Sequence, residues 1–247
     1  MPDRYFSQNA IGQADQAILT DAEAHHLVHV MRAKPGLRVV LFDGSGAEFD
    51  AEVSGVGRSD VRLTILQRRE IDRELPFLLV LGVSLPKGDR QKWLVEKLVE
   101  VGVSALVPLL TTRSVAQPVE QALTRLERTV IEASKQCGRN RLMEISSPRR
   151  WPDFVAGAPP SSSRWLAHPG FAERPREVHG SNPTRADRPP VVRERFVAVG
   201  PEGGFTEEEV ALATAAGWQT MDLGPRILRI ETAAITVAVL AVAERVS

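Results

Sequence analysis

From Arg38 onward, apolar positions run together or alternate with a period of two between glycine-rich breaks. Arg38-Val-Val-Leu-Phe, the turn Asp43-Gly-Ser-Gly, Glu48-Phe-Asp-Ala-Glu-Val and Asp60-Val-Arg-Leu-Thr-Ile-Leu follow one another, and such runs between turn residues predict strands. Residues 1–72 therefore form a compact β-barrel in this reading. Ahead of the strands, Asp21 to Arg32 carries one helical pattern that stops at Lys34-Pro-Gly. His25 and His29 stand at i and i+4 on it, a spacing that can ligate metal. No third ligand lies near, so the pair reads as a helix face and no metal is expected.

Past Pro76 the period changes. Phe77-Leu-Leu-Val-Leu-Gly-Val predicts a buried strand. Asp89 to Val101 predicts a helix with Leu94, Val95, Leu98 and Val99 on one face, ended by Gly102. Ala105-Leu-Val-Pro-Leu-Leu predicts the next strand. A longer helix from Val119 to Gln136 follows, then strands near Glu144-Ile-Ser, Arg164-Trp-Leu-Ala-His and Phe196-Val-Ala-Val. This βαβ alternation predicts an α/β domain over residues 73–247 with a mostly parallel sheet and helices on both faces. Pro169 to Arg195 has no periodicity and reads as an inserted loop. Ala233 to Ala243 is apolar on every side, so it must be covered all round, by the sheet and by another subunit.

Composition narrows the class. The 247 residues are 43% hydrophobic and 25% charged, enough for two domains. One cysteine, Cys137, rules out an internal disulfide and suits a reducing cytoplasm. No apolar signal core or bilayer-length run is present, so a cytosolic, membrane-free protein is expected. Net charge is zero, which argues against binding nucleic acid by bulk charge. The charge is uneven, however: Pro86 to Arg150 holds 12 Lys and Arg against 7 Asp and Glu, while Pro201 to Ser247 holds 3 against 7. A phosphate backbone would lie most comfortably along the middle of the chain.

Two C-terminal loops carry the chemistry. Val197-Ala-Val-Gly-Pro-Glu-Gly-Gly-Phe-Thr-Glu-Glu-Glu runs from strand to helix through a glycine turn that contains Glu202. Thr206 and Glu209 predict a capping box, and Phe205 with Val210 a hydrophobic staple, so the loop's exit is fixed. Gly200, Gly203 and Gly204 permit positive φ and bring bare backbone close to a ligand. Neither a P-loop nor a dinucleotide glycine fingerprint is present, and a glutamate in the turn would repel phosphate. A purine nucleoside without phosphate, such as S-adenosylmethionine, suits the turn better. In the second loop, Leu223-Gly-Pro-Arg-Ile-Leu-Arg-Ile-Glu-Thr-Ala-Ala, Arg226 and Arg229 flank apolar Ile227 and Leu228. That pattern suggests a flat ligand beside an anionic one.

These two loops, with Lys87-Gly-Asp-Arg, Glu96-Lys-Leu-Val-Glu-Val-Gly-Val and Lys135-Gln-Cys-Gly-Arg upstream, closely resemble the RsmE-type 16S ribosomal RNA uridine-N3 methyltransferases of the SPOUT (α/β-knot) superfamily. Arg4-Tyr-Phe and His26 to Gly36 are similar to that family's PUA-like RNA-binding barrel. The chain departs from the pattern in the Pro169 to Arg195 insertion, in Ile230 where threonine is commoner, and in a first domain that is not basic. The resemblance implies a deep trefoil knot in the C-terminal domain, a homodimer with the active site at the subunit interface, and 16S rRNA or the assembled small subunit as partner. It also implies a cofactor pocket for S-adenosylmethionine formed by Leu166, His168, Gly200, Pro201, Glu202, Gly203, Gly204, Leu223, Gly224, Ile227, Leu228 and Thr232.

Uridine N3 becomes a nucleophile only as its proton leaves and negative charge spreads onto O2 and O4. Arg226 and Arg229 are the candidates to stabilise that charge. A base must take the proton, and Glu202 is favoured over Glu231, which can instead cap the last helix. N3 lies on the pairing edge, so the target must be unpaired or flipped out. Arg4, Arg32, Lys34, Arg113, Lys135, Arg139 and Arg141 are the candidate RNA contacts. The competing reading is a non-catalytic RNA-binding protein that keeps the knot and the barrel.

Overall fold

The computed structural model describes residues 3–114, 120–168 and 193–243. Most of the Pro169 to Arg195 insertion thus lies outside the described residues. The chain divides into two compact units, one of residues 1–74 with 130–142 and one of residues 75–129 with 143–247.

The first unit holds β1 (Arg4–Phe6), β2 (Gln16–Thr20), α1 (Asp21–His25), β3 (Arg38–Phe42), β4 (Ala47–Val56) and β5 (Asp60–Glu70). The sheet order is β1-β3-β4-β5-β2, with β1 parallel to β3 and the other pairs antiparallel. Register shifts at Asp50/Ala51 and Val53/Gly55 put bulges into the long β4–β5 ladder; bulges bend and twist a strand. The sheet so curls over one core that includes Tyr5, Leu19, Leu27, Leu41, Phe49 and Leu63. The single helix expected from Asp21 to Arg32 is shorter and changes type. After α1 the chain widens into a π-helical turn over His26–Val30, where the Met31 amide donates to the His26 carbonyl at 3.1 Å, and Arg32 ends it at φ 53°. This widening keeps Leu27 fully buried and brings the His25 and His29 rings to 4.6 Å.

The second unit holds β6 (Leu78–Val83), α2 (Arg90–Val101), β7 (Ala105–Leu110), β8 (Glu144–Ile145), β9 (Arg149–Arg150), α4 (Trp151–Gly157), β10 (Ser163–Ala167), β11 (Glu194–Val199), α5 (Glu207–Ala215), β12 (Gln219–Met221) and α6 (Ile230–Ala243). Helix α3 (Glu120–Cys137) starts in this unit, and its residues from Val130 on belong to the first. The sheet runs β12-β10-β11-β6-β7-β8, all parallel, with β9 also parallel to β7. The expected buried face of α2 is the observed one, and Gly102 caps the helix at φ 96°. Alternation along the strands turns Gly82, Val107, Leu109, Leu166 and Ala198 toward Trp151, Phe154, Phe205 and Trp218. A Cβ on Gly82 would stand 2.6 Å from the Phe154 ring, so only glycine lets the sheet and α4 approach this closely. Helix α6 packs on α2, β6 and β11 across the other face. Val239 and Leu240 on its far side stay exposed in the single chain, at 47% and 42%.

Candidate functional site

Strand order places the loops. Consecutive strands step one way from β6 through β7 to β8, while β11, β10 and β12 lie on the other side of β6, so the sheet reverses direction between β6 and β11. In open α/β sheets, ligands bind beyond the carboxyl ends of the strands at such a reversal. A cleft of about 530 Å³ lies there, beyond β10, β11 and β12. Gly200 to Phe205 form one wall and Asp222 to Leu228 the other, with His168 and Arg113 at the sides and Ile230 and Ala233 from the start of α6.

The glycine turn is held from three directions. The Gly204 amide, at φ 68°, donates to the Pro201 carbonyl at 2.8 Å and closes the turn. A Cβ on Gly200 would lie 3.0 Å from the Phe205 ring, so that ring props the turn from beneath. Arg113 reaches over from the loop after β7, and its Nη1 donates to the Gly203 carbonyl at 2.6 Å. The capping box is present as expected: Thr206 Oγ1 accepts from the Glu209 amide at 3.3 Å, and Glu209 accepts from the Thr206 amide at 2.9 Å. Buried Glu209 does more than cap. Its other oxygen accepts from the Thr112 amide at 2.8 Å and hydroxyl at 3.0 Å, which joins the β7 loop to the glycine turn.

In the second loop Gly224 stands at φ 98°, and its amide donates to Asp222 at 2.8 Å. The amides of Gly204 and Gly224 are therefore used inside their own turns rather than left bare for a ligand. What these glycines do offer is space, for nothing lies within 4 Å of where a Cβ would stand on either. The His168 amide donates to the Met221 carbonyl at 3.1 Å, while its ring Nδ1 is buried with no partner among the described residues. Such an atom asks for a hydrogen bond from whatever fills the cleft.

Of the expected pocket residues, His168, the stretch Gly200 to Gly204, Leu223, Gly224, Ile227 and Leu228 line the cleft together with Arg226. Leu166 is fully buried one layer below, in the aromatic core. Thr232 lies exposed on α6 and Arg229 exposed before it, both outside the cleft lining. Glu231 sits in the first turn of α6, buried. Arg90 stands 3.6 Å from both Glu202 and Glu231, a position its neighbours in the chain do not announce. Only its place in Lys87-Gly-Asp-Arg could have pointed to it.

The expected RNA contacts divide. Arg4 donates to buried Glu48 at 2.8 Å and to Asn140 at 2.7 Å, Arg139 is held by Glu74 at 2.5 Å, and Lys135 by Glu23 at 3.0 Å. Those three are committed within the first unit. Arg32, Lys34 and Arg141 are exposed, and Arg113 belongs to the cleft wall. Among the described residues no group of three His, Cys, Asp or Glu is placed to hold a metal, and no helix is long and apolar enough to cross a membrane.

A parallel sheet with a cleft at its reversal and two glycine turns on its walls defines an α/β enzyme domain, and comparison with known proteins supplies the class. Residues 73–242 match the family described as RNA methyltransferase domain, and residues 19–66 the one described as RNA methyltransferase PUA domain. The chain belongs to the ribosomal RNA small subunit methyltransferase E family. It is 31% identical over 246 residues to the Bacillus subtilis member, covering 93% of this chain and 92% of that one. To the Synechocystis member it is 32% identical, covering 87% of this chain and 69% of that one. A Legionella pneumophila methyltransferase solved with bound SAM superposes at a TM-score of 0.84, with 29% identity over 99% of this chain and 98% of the other. The Neisseria gonorrhoeae ribosomal RNA small subunit methyltransferase E, bound to S-adenosyl methionine, does so at 0.82, with 27% identity over 99% and 96%.

Proposed function

We propose that the protein methylates N3 of a uridine in small-subunit ribosomal RNA, with S-adenosylmethionine as methyl donor. The observation that carries this reading is the cleft shared by both glycine loops at the ends of β10, β11 and β12, in a chain of this family. The residues present fit the donor. A cleft of about 530 Å³ suits a nucleoside-sized ligand. Gly204 and Gly224 leave room against the backbone, Leu223, Ile227 and Leu228 offer apolar contact to a flat base, and His168 Nδ1 awaits a polar partner. When bound, the cofactor supplies an electrophilic methyl group on a sulfonium.

The chain's own residues do the rest. Glu202, on the ridge after β11 and 54% exposed at its side chain, accepts the N3 proton. Arg90 holds that carboxylate from one side. Arg226 lines the cleft and is the cation assigned to the negative charge that develops as the N3 proton leaves. Arg229, which does not line it, has the lesser part. We assign RNA contact to exposed Arg32, Lys34 and Arg141 on the N-terminal PUA-like unit. Val239 and Leu240 on α6 supply an apolar face for a second copy of the chain, and the working compartment is the cytoplasm, where ribosomes assemble.

The test is to offer labelled cofactor with small subunits, and separately with naked 16S rRNA, from a strain lacking the modification, and to map the methylated base. Label on N3 of one uridine is expected; label on a carbon or a ribose oxygen refutes the assignment. Calorimetry with S-adenosylmethionine is expected to give one site per subunit, and no heat of binding would return the protein to the non-catalytic reading.

A further inference from the structure

A second cleft of about 330 Å³ opens on the other side of the glycine turn. The larger cleft follows β10, β11 and β12; this one is lined from the loops after β6, β7 and β11, by Ser84, Lys87, Ser114 and Glu202 among others. Pro201, Glu202 and Ile230 line both clefts, so the turn after β11 is a ridge between them.

Its chemistry is specific. Leu85, Pro201 and Ile230 make apolar walls. The hydroxyls of Ser84 and Ser114 lie 3.4 Å apart; the Ser114 oxygen also accepts from the Thr111 amide, while the buried Ser84 hydroxyl has no other hydrogen bond among the described residues. Lys87 stands exposed at the mouth, beside Gly88 at φ 66°, where no atom lies within 4 Å of a Cβ position. The Glu202 carboxylate rises from the ridge itself, steadied by Arg90 at 3.6 Å. Together these groups put a carboxylate acceptor, a hydroxyl pair and a cation around one cleft. A uracil nucleotide can engage all three, with the N–H donor of its pairing edge, a neighbouring carbonyl acceptor and its phosphate. Cytosine at neutral pH carries a lone pair at N3 and would set it against the carboxylate, and a site built to receive an N–H rejects an analogue that lacks it.

We infer that the smaller cleft is the receiving pocket for the flipped-out uracil nucleotide, with N3–H on Glu202, a carbonyl on the Ser84–Ser114 hydroxyls and the phosphate on Lys87. The inference rests on the function proposed above and adds to it the means of telling uridine from cytidine. The ridge then carries one residue that faces donor and acceptor at once.

Lys87→Ala and Ser84→Ala test it, read as KM for 16S rRNA in parallel with calorimetric affinity for S-adenosylmethionine. Lys87 is exposed, so its variant leaves the fold alone, and Lys87→Arg is expected to restore binding. Each alanine variant is expected to raise the RNA KM about tenfold, the size of one lost polar contact, while cofactor affinity stays within about twofold. Unchanged RNA KM in both variants overturns the inference, and so does a parallel loss of cofactor affinity, which would place these residues in the larger cleft. Wild-type cofactor binding and base mapping, measured separately, report on the underlying function, so the two failures are distinguishable. Substrate RNA with cytidine at the target position is expected neither to be methylated nor to compete with the uridine RNA; competition at equal strength would mean that this pocket does not read the base.

Discussion

The charges of the N-terminal unit and those of the C-terminal loops look alike in the sequence and are used in opposite ways. Glu48 is buried in β4 with three guanidinium partners, Arg4 at 2.8 Å, Arg69 at 3.1 Å and Arg73 at 3.2 Å. Burial pushes its carboxyl pKa up, yet hydrogen bonds from Arg4 and Arg73 and their charges outweigh that and hold it below its ordinary 4.5. Close by, burial together with Asp3 and Glu23 pushes Tyr5 up to about 12. In the second loop, by contrast, Arg226 and Arg229 are exposed and no ion pair engages either among the described residues, while Ile227 is 98% exposed. A fold consumes a charge by pairing it, and a charge it leaves unpaired beside a cleft remains available for a ligand.

The contrast can be broken in order of size. Glu48→Ala leaves a cluster of arginines without its counter-charge and is expected to destabilise the protein by about 3–5 kcal/mol, read by chemical denaturation. A loss below 1 kcal/mol would mean the cluster is held by solvent instead. The pH response has a definite sign. A depressed folded pKa contributes stability that is complete above the unfolded value of 4.5 and lost as pH falls through the depressed one, so acid should melt the wild type more steeply than Glu48→Gln. Arg226→Ala is expected to lower kcat about 10²–10³-fold, with a smaller loss of cofactor affinity because it lines the same cleft, and Arg229→Ala to lower kcat by less than about tenfold. Equal losses would restore the two arginines to one role. Gly224→Val forces a branched side chain to φ 98° and is expected to raise the cofactor Kd about tenfold through a strain of about 1–2 kcal/mol. Thr206→Ala removes the cap of α5 and should cost about 1 kcal/mol, a fall in Tm of about 2–4 °C.

Where a residue's role is local, the sequence revealed it. Gly102 ends α2 because only a residue at ease at φ 96° can, and the Thr206–Glu209 box is a matter of three residues. The loops that make the larger cleft were legible for the same reason. What the sequence concealed depends on partners distant in the chain. Nothing near Arg90 says that it meets Glu202 and Glu231, more than 100 positions away, or near Arg139 that Glu74 claims it. Arg113, a candidate RNA contact in the sequence, also braces the glycine turn, which no neighbour in the chain announces. The side chain of Leu166 points into the aromatic core, because period-two alternation sends every second residue of β10 that way. Helix α4, seven residues long, gave too short a pattern to be seen, and the π-helical turn is a response to packing around Leu27 rather than to composition.

Glu209 ties together more than it caps. With donors from Thr112 and Thr206 on one carboxylate, the strip that carries Arg113 and Ser114 and the ridge that carries Glu202 are riveted to a common point, itself pinned by the Trp151 indole, whose N–H donates to the Glu209 carbonyl at 3.0 Å. Neither cleft can therefore be widened without disturbing its neighbour, and on the roles proposed for them a bulkier acceptor base would be felt first as a change in grip on the methyl donor.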